Sequence, residues 1–358
     1  MEFGLRFNPA IGPKDRSGQQ FWNECLRLVD LADPLGFTSI GAVEHYFEPY
    51  GGYSPGPLLF LTAASQRTRK ARLITGGVVP MFTHPLKLAS EIAMLDALSD
   101  GRLEVGFAGG LMPHEFARFG VPWDERRVRF AEGVEQITRL LEDEHVTMEG
   151  RFHSFRDITI LPRPTQKPRP PIWIAASRTP SSFIGAGKAG HSLMTRSLRQ
   201  NEEDGTMKEL VGLYRDAWAK AGWSGHGRLM LAFHVMCAPT RQEALDAARA
   251  AMEAQMRYRV AAAALSTNEA AGDQKHLRAI AGLRQISIET QIAEGTLLAG
   301  TPADIADAIL VQDRKFGGID VCGVQITYGT LAVDVAEASM TLFAQEVLPQ
   351  FTGSRAVA

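Results

Sequence analysis

Two short stretches of the chain gather residue types that do chemistry. Glu44-His45-Tyr46-Phe47 closes an apolar run. An imidazole there can act as acid or base near neutral pH, with the neighbouring carboxylate fixing its tautomer or raising its basicity. A histidine at a strand end can also do no more than hydrogen-bond its own loop. The second stretch, Ala176-Ser177-Arg178-Thr179-Pro180-Ser181-Ser182, places hydroxyls and a guanidinium at the start of a helix. Helix-start amides, hydroxyls and a cation suit a phosphate group, whereas a plain N-cap needs only Thr179. His234 alternates with Phe233 and Val235, which fits either a ring pointing into a barrel or a satisfied core histidine. No His, Cys and carboxylate spacing suggests a metal site, and no Gly-x-Ser-x-Gly elbow suggests a hydrolase.

These residues sit at the joins of alternating strand and helix patterns. Strands are expected at Phe3 to Asn8, Thr38 to Glu44, Ala71 to Val79, Leu103 to Ala108, Ile172 to Ala175, Ser192 to Thr195, Leu229 to Cys237 and Val321 to Thr327. Helical spacing marks Phe21 to Leu35, Pro85 to Leu98, Arg126 to His145 and Val333 to Phe351. Thr240-Arg241-Gln242-Glu243 is a capping box that opens an Ala-rich helix to about Leu265, and Thr301-Pro302 opens another. Between Val146 and Pro171 the rhythm breaks, with a hairpin around Glu149-Gly150 and a proline-rich connector. Ser266 to Leu283 is polar and aperiodic, and is expected to form a mobile lid.

Eight strands with helices between them imply a parallel α/β architecture. Asn8-Pro9-Ala10-Ile11-Gly12-Pro13 follows the first strand where a Rossmann sheet would carry Gly-x-Gly-x-x-Gly. The expected fold is therefore a (β/α)8 TIM barrel with an insertion hairpin, one domain over residues 1–352 and a tail at 353–358. With 358 residues and 45% hydrophobic content the chain can bury a large core. A net charge of -2 gives no electrostatic case for nucleic acid or an anionic membrane, and no apolar run approaches a bilayer span. Cys25, Cys237 and Cys322 are scattered and odd in number, which with the lack of a signal peptide points to the cytoplasm.

Taken in order, Glu44-His45-Tyr46-Phe47, the run from Arg72 to Pro80, Thr83-His84-Pro85 and the run from Gly101 to Gly110 resemble the luciferase-like family of flavin-dependent monooxygenases. The resemblance covers nearly the whole chain. It implies that His45 is the active-site histidine, with Glu44 beside it. It places the isoalloxazine ring of FMN against Val79, Pro80 and Met81. It also makes Ser177, Thr179 and Ser182 the counterparts of the family's phosphate-turn residues, with Gln166 to Trp173 resembling the connector before that strand. After the fourth strand many members carry an arginine that meets the phosphate. Here Ala108, Gly109, Gly110 and Leu111 stand instead, with Gly109 in the arginine's place. The backbone beyond Gly109 and the side chain of Arg178 are the expected substitutes.

The resemblance implies a monooxygenase that uses FMNH2, delivered by a separate flavin reductase, and O2 to form a C4a-(hydro)peroxyflavin that oxygenates a small organic substrate. Two alternatives are an F420-dependent oxidoreductase of the same superfamily and a non-catalytic flavin-binding relative. The first would need extra basic residues for a longer acidic tail, and the full strand count opposes the second. The family also implies a homodimer through the helices near Ser54–Thr68 and Pro85–Leu98, whose surplus apolar residues are Leu58, Leu59, Phe60, Leu61, Ala89, Ala93 and Met94.

Overall fold

Eight parallel strands close into a ring in the computed structural model, which describes residues 1–196, 206–269 and 286–352. In chain order β1 (Glu2–Phe7), β2 (Ser39–Ala42), β3 (Arg72–Thr75) and β4 (Leu103–Ala108) come first. An antiparallel hairpin of β5 (Val146–Glu149) and β6 (Ser154–Ile158) intervenes. Then come β7 (Ile172–Ala175), β8 (Ser192–Arg196), β9 (Leu229–Cys237), a short β10 (Leu297–Gly300) and β11 (Val321–Thr327). The ring runs β1-β2-β3-β4-β7-β8-β9-β11 and closes where Gly4 of β1 pairs with Gly323 of β11. β10 joins the outer end of β9, pairing Leu297 with His234, just where β9 parts from β11. This ninth strand follows a left-handed turn at Gly295, with φ of 68°, and is not among the strands expected from sequence.

Twelve helices surround the ring among the described residues. They are α1 (Gly18–Asp30), α2 (Pro57–Arg67), α3 (Pro85–Leu98), α4 (Pro113–Arg118), α5 (Arg126–Glu142), α6 (Pro180–Lys188), α7 (Met207–Lys220), α8 (Arg241–Glu269), α9 (Ile288–Ala293), α10 (Pro302–Phe316), α11 (Val333–Glu346) and α12 (Pro349–Thr352). Both faces of the barrel strands are covered, which is why they read as apolar runs rather than alternations. Helix starts follow their capping chemistry. His84 Nδ1 accepts from the Leu86 amide at 3.2 Å ahead of Pro85, so that histidine is structural. Thr240 and Glu243 exchange hydrogen bonds at the start of α8. α3 stops where Asp100 and Gly101 turn left-handed, with φ of 55° and 73°.

Inside the ring Ile74, Trp173, Met194, Met230 and Val321 pack into one layer. Below it the buried Glu104 carboxylate accepts from Trp173 Nε1 at 2.6 Å and lies 2.8 Å from Arg72 Nε, with Arg228 over the Trp173 ring at 4.9 Å. That plug closes the N-terminal end and leaves the C-terminal end for a site.

β3 is shorter than its apolar run suggested. Gly77, at φ 125°, turns the chain after Thr75, and Val78 touches the sheet again only through a bridge to Phe107. The first residues of the expected lid are helical. Ser266 to Glu269 are the last residues of α8, Ser266 is buried, and its hydroxyl pairs with His114 Nδ1 at 2.7 Å. The rest of that segment from residue 270, like the tail at 353–358, lies outside the described residues. Among the described residues no helix is long and apolar enough to cross a membrane.

Candidate active site

His45 stands three residues beyond β2, at the C-terminal mouth of the barrel, with its side chain only 12% exposed. Its Nδ1 lies 3.1 Å from Glu115 Oε1, which also accepts from the Tyr46 amide at 2.8 Å. Glu115 comes from α4 and is 2% exposed. The carboxylate that orients His45 is therefore Glu115 and not its chain neighbour. Glu44 turns the other way, accepting from the Tyr46 hydroxyl at 2.7 Å and from the Val79 amide at 3.1 Å. With Nδ1–H donated to Glu115, Nε2 of His45 is left to serve the cavity that the ring lines.

Burial disfavours a charged His45, but the charge and hydrogen bond of Glu115, helped by Tyr50 and Glu44, outweigh it and raise the imidazole's basicity. Burial pushes the Glu44 carboxyl up to about 7, although Tyr46 and Val79 hydrogen-bond its charged form. Tyr50, whose ring centroid is 5.6 Å from that of His45, shifts the other way. Burial opposes its ionisation, yet Arg196 and Arg259, with His45, bring the phenol down to about 7. Glu44 and Tyr50 thus titrate near 7 around one cavity, beside an imidazole of raised basicity, a pattern that marks working sites.

The cavity is about 300 Å³ and reaches from Arg6, inside the barrel, to Leu111 at the rim. One wall is built of small residues, Gly76, Gly77, Ala108, Gly109, Ala175 and Ala176. A Cβ on Gly77 would sit 2.7 Å from the Ala108 Cβ, while nothing lies within 4 Å of one on Gly109. The wall is therefore a flat shelf, open above Gly109, with the right shape for a planar ring system. A second cavity of about 810 Å³ shares Gly109 to Leu111 and Ala175 to Arg178 with the first, and continues outward along Thr179 and Ser182.

Most of the expected flavin residues come together here. Val79, Ala108, Gly109, Gly110, Leu111, Ser177 and Arg178 line the first cavity, and Thr179 and Ser182 the second. Pro80 and Met81 do not line it. They form a 3-10 turn, and Pro80 packs beside Gly133 of α5 instead. Thr179 holds the N-cap position of α6 but its side chain makes no capping bond. Arg126 and Arg127 line the same groove as Arg178, with Arg126 stacked 3.9 Å over the Trp123 ring. Cationic side chains therefore line the same groove as Gly109, which supplies none.

The sequence model described as luciferase-like monooxygenase matches residues 1–317. The chain belongs to that family. The monooxygenase RslO1 from Streptomyces bottropensis is 38% identical to this luciferase-like chain, with a TM-score of 0.87, covering 98% of this chain and 100% of the other. The oxygenase component of a flavin-dependent trigonelline monooxygenase from Acinetobacter baylyi is 32% identical over 252 residues, 69% of this chain and 68% of the relative. An F420-dependent glucose-6-phosphate dehydrogenase from Beutenbergia cavernae is 33% identical over 199 residues, 54% of this chain. The chain spans only 58% of that last relative's length.

Glu115, Arg196 and Arg259 of the luciferase-like site had no sequence signal. Glu115 rides on a six-residue helix, too short to show a period. Tyr50, Arg196 and Arg259 are brought to the cavity from a loop, the end of β8 and the middle of α8. His234, left open between two readings, lines the cavity with Nε2 buried and unpartnered among the described residues. Burial and the two arginines push its ring down to about 3, so it is neutral.

Proposed function

We propose that this chain is the oxygenase component of a two-component FMN-dependent monooxygenase, which takes reduced FMN from a separate reductase and uses O2 to oxygenate a small organic substrate. The observation that carries this reading is the open shelf at Gly77, Ala108 and Gly109, with His45 at its inner end and the Ser177–Ser182 turn at its outer end. When bound, reduced FMN would supply the electrons that activate O2 for insertion into the substrate. Ser177, Thr179 and Ser182, with Arg178, Arg126 and Arg127 nearby, would hold its phosphate. Gly77 and Ala108 would back the ring face. His45, held by Glu115, would give or take a proton at Nε2. The buried walls around His45 would keep water from the reacting atoms.

F420 is the second reading, because the outer groove is also lined by Arg139 and Arg169, which a longer acidic tail could use. Those two charges are already engaged, Arg139 with Asp143 at 2.7 Å and Arg169 with Glu142 at 2.7 Å. Glu135 lines the same groove. The balance favours the shorter cofactor.

Anaerobic titration with photoreduced FMN and with reduced F420, followed by mixing with O2, separates the two. The expected result is binding of reduced FMN and a flavin absorbance change that depends on O2. Because Gly109 lacks the anchoring side chain, oxidised FMN should be held weakly and the protein should purify almost colourless. Saturable binding of F420 alone, with no reaction with O2, would overturn the proposal.

A further inference from the structure

Beyond His45 the first cavity holds charge that the reaction proposed above does not use. Arg259 projects from α8, is 8% exposed, and has Nε buried without a hydrogen-bond partner. The charged groups that act on it are Arg196, Tyr50 and Arg178, none of them a carboxylate. Arg196 stands at the end of β8, and among the described residues neither guanidinium has an ion pair. The Arg196 side chain is close enough to the Tyr50 hydroxyl to hydrogen-bond it. His234 faces the same two arginines with its buried Nε2 unmatched.

Two guanidinium groups lining one cavity repel each other, and the buried Arg259 has lost much of its water, so the arrangement costs free energy unless an anion neutralises it. Among the described residues Tyr50 is the only acidic group placed against both, and a single phenol cannot match two cations. The carboxylates that line the cavity among the described residues lie elsewhere. Glu115 is engaged with His45 and Glu44 with Tyr46 and Val79. Glu294 also lines the cavity, from the residue after α9, but is not among the charges felt by Arg259, Tyr50 or His234.

We infer that this pocket is the substrate's anchor, and that the substrate is a carboxylate whose two oxygens bridge Arg196 and Arg259, with its oxidisable carbon directed toward His45 and the glycine–alanine shelf. A carboxylate matches the planar donors of a guanidinium in pairs. The neutral His234 ring adds a donor or acceptor at no cost in charge. The distribution of cations also separates two jobs, since Arg126 and Arg127 line the outer groove and Arg196 and Arg259 the inner cavity, with Arg178 at the join of the two. The inference rests on the monooxygenase reading for its orientation, but the anion preference can be tested without turnover.

The probes are 2-naphthoate and its uncharged counterpart 2-naphthamide, titrated calorimetrically into the wild-type protein and into Arg196→Met, Arg259→Met and Arg259→Lys. Reduced FMN is titrated anaerobically into the same four proteins. The expected result is that naphthoate binds at least 10-fold more tightly than naphthamide. Each Met variant should lose about 10- to 100-fold in naphthoate affinity, the range for a hydrogen bond to a charged group, and Arg259→Lys should recover part of it. Reduced-FMN affinity should stay within about threefold throughout. Replacing a buried unpaired charge by an apolar side chain should not impair folding. Equal binding of the two probes, including no binding by either, overturns the inference. So does a Met variant that loses reduced FMN instead of naphthoate, since the arginines would then belong to the flavin. Failure of the wild type to bind reduced FMN, with the naphthoate preference intact, would sink the monooxygenase reading and leave the anion pocket standing.

Discussion

His45 is tied to its fold by a side-chain hydrogen bond to Glu115 and a ring contact with Tyr50, and is otherwise seated in a loop whose backbone the barrel holds. His45→Ala should therefore leave the melting temperature within a few degrees of wild type. It should lower product formation by about 10²–10⁴-fold, the usual effect of losing a positioned acid or base. Reduced flavin and O2 should still be consumed, with H2O2 released in place of product. Wild-type coupling in the variant would reduce His45 to a loop histidine. Glu44 has a different signature. Its folded carboxyl titrates near 7 against an ordinary 4.5, so the native state keeps a proton that the unfolded chain gives up. Stability from this group falls as pH rises from about 4.5 through 7, and the full penalty persists above that. His45 acts with the same sign, because its raised basicity stabilises the fold below the ordinary histidine value and that contribution is lost as pH rises through its folded value. Glu44→Gln isolates the carboxyl's share. Urea unfolding of both proteins between pH 5 and 8 should show the wild type losing ground to the variant, and parallel curves would refute the buried-carboxyl account. His45 was legible because a strand end is a place where sequence order and site geometry coincide. Glu115 was not, because it is 70 positions away in the chain and only the closed ring brings it to 3.1 Å.

Elements follow the same division. The eight barrel strands announced themselves as apolar runs, and the long helices as period-3.6 patterns with caps. β10 and α4 did not, because four and six residues carry too few repeats to define a period. α4 matters most, since it delivers Glu115 to the site and is held from behind by α8. His114, the residue before Glu115, is buried and pairs with Ser266 Oγ of α8 at 2.7 Å. The polar stretch that reads as a loop from Ser266 onward thus begins as a latch. Ser266→Ala should cost about 1 kcal/mol of stability, the worth of one buried hydrogen bond. It should also speed amide exchange in α4 more than in the barrel strands, and loosen the grip on His45, seen as a lower apparent titration point in the pH–rate profile. Unchanged exchange in α4 would show that packing alone holds the helix.

At the scale of the whole molecule, α2 and α3 present large apolar side chains that the chain itself does not cover among the described residues. α2 and α3 pack against each other, leaving Leu59 78% exposed and Met94 55% exposed. Phe60, Leu61, Ala89 and Ala93, which the sequence would count toward the same surplus, are buried in the chain's own core. Helical spacing cannot separate an apolar residue that faces its own barrel from one that faces a partner, because neighbouring positions on the two faces obey the same period. A homodimer about a two-fold axis is proposed here on the strength of Leu59 and Met94, with Leu98 at 43% exposure beside them. Each would be covered by its counterpart on the second copy, and the net charge of -2 gives two copies little reason to repel. Light scattering at micromolar concentration should return about twice the chain mass of 39.1 kDa. Leu59→Glu combined with Met94→Glu places four carboxylates across the two-fold axis while altering only exposed positions, so it should give a folded monomer. Its affinity for reduced FMN should match the wild type's, because the shelf at Gly77 and Gly109 is built within one barrel. A wild-type protein that is monomeric at that concentration would sink the dimer without touching the site.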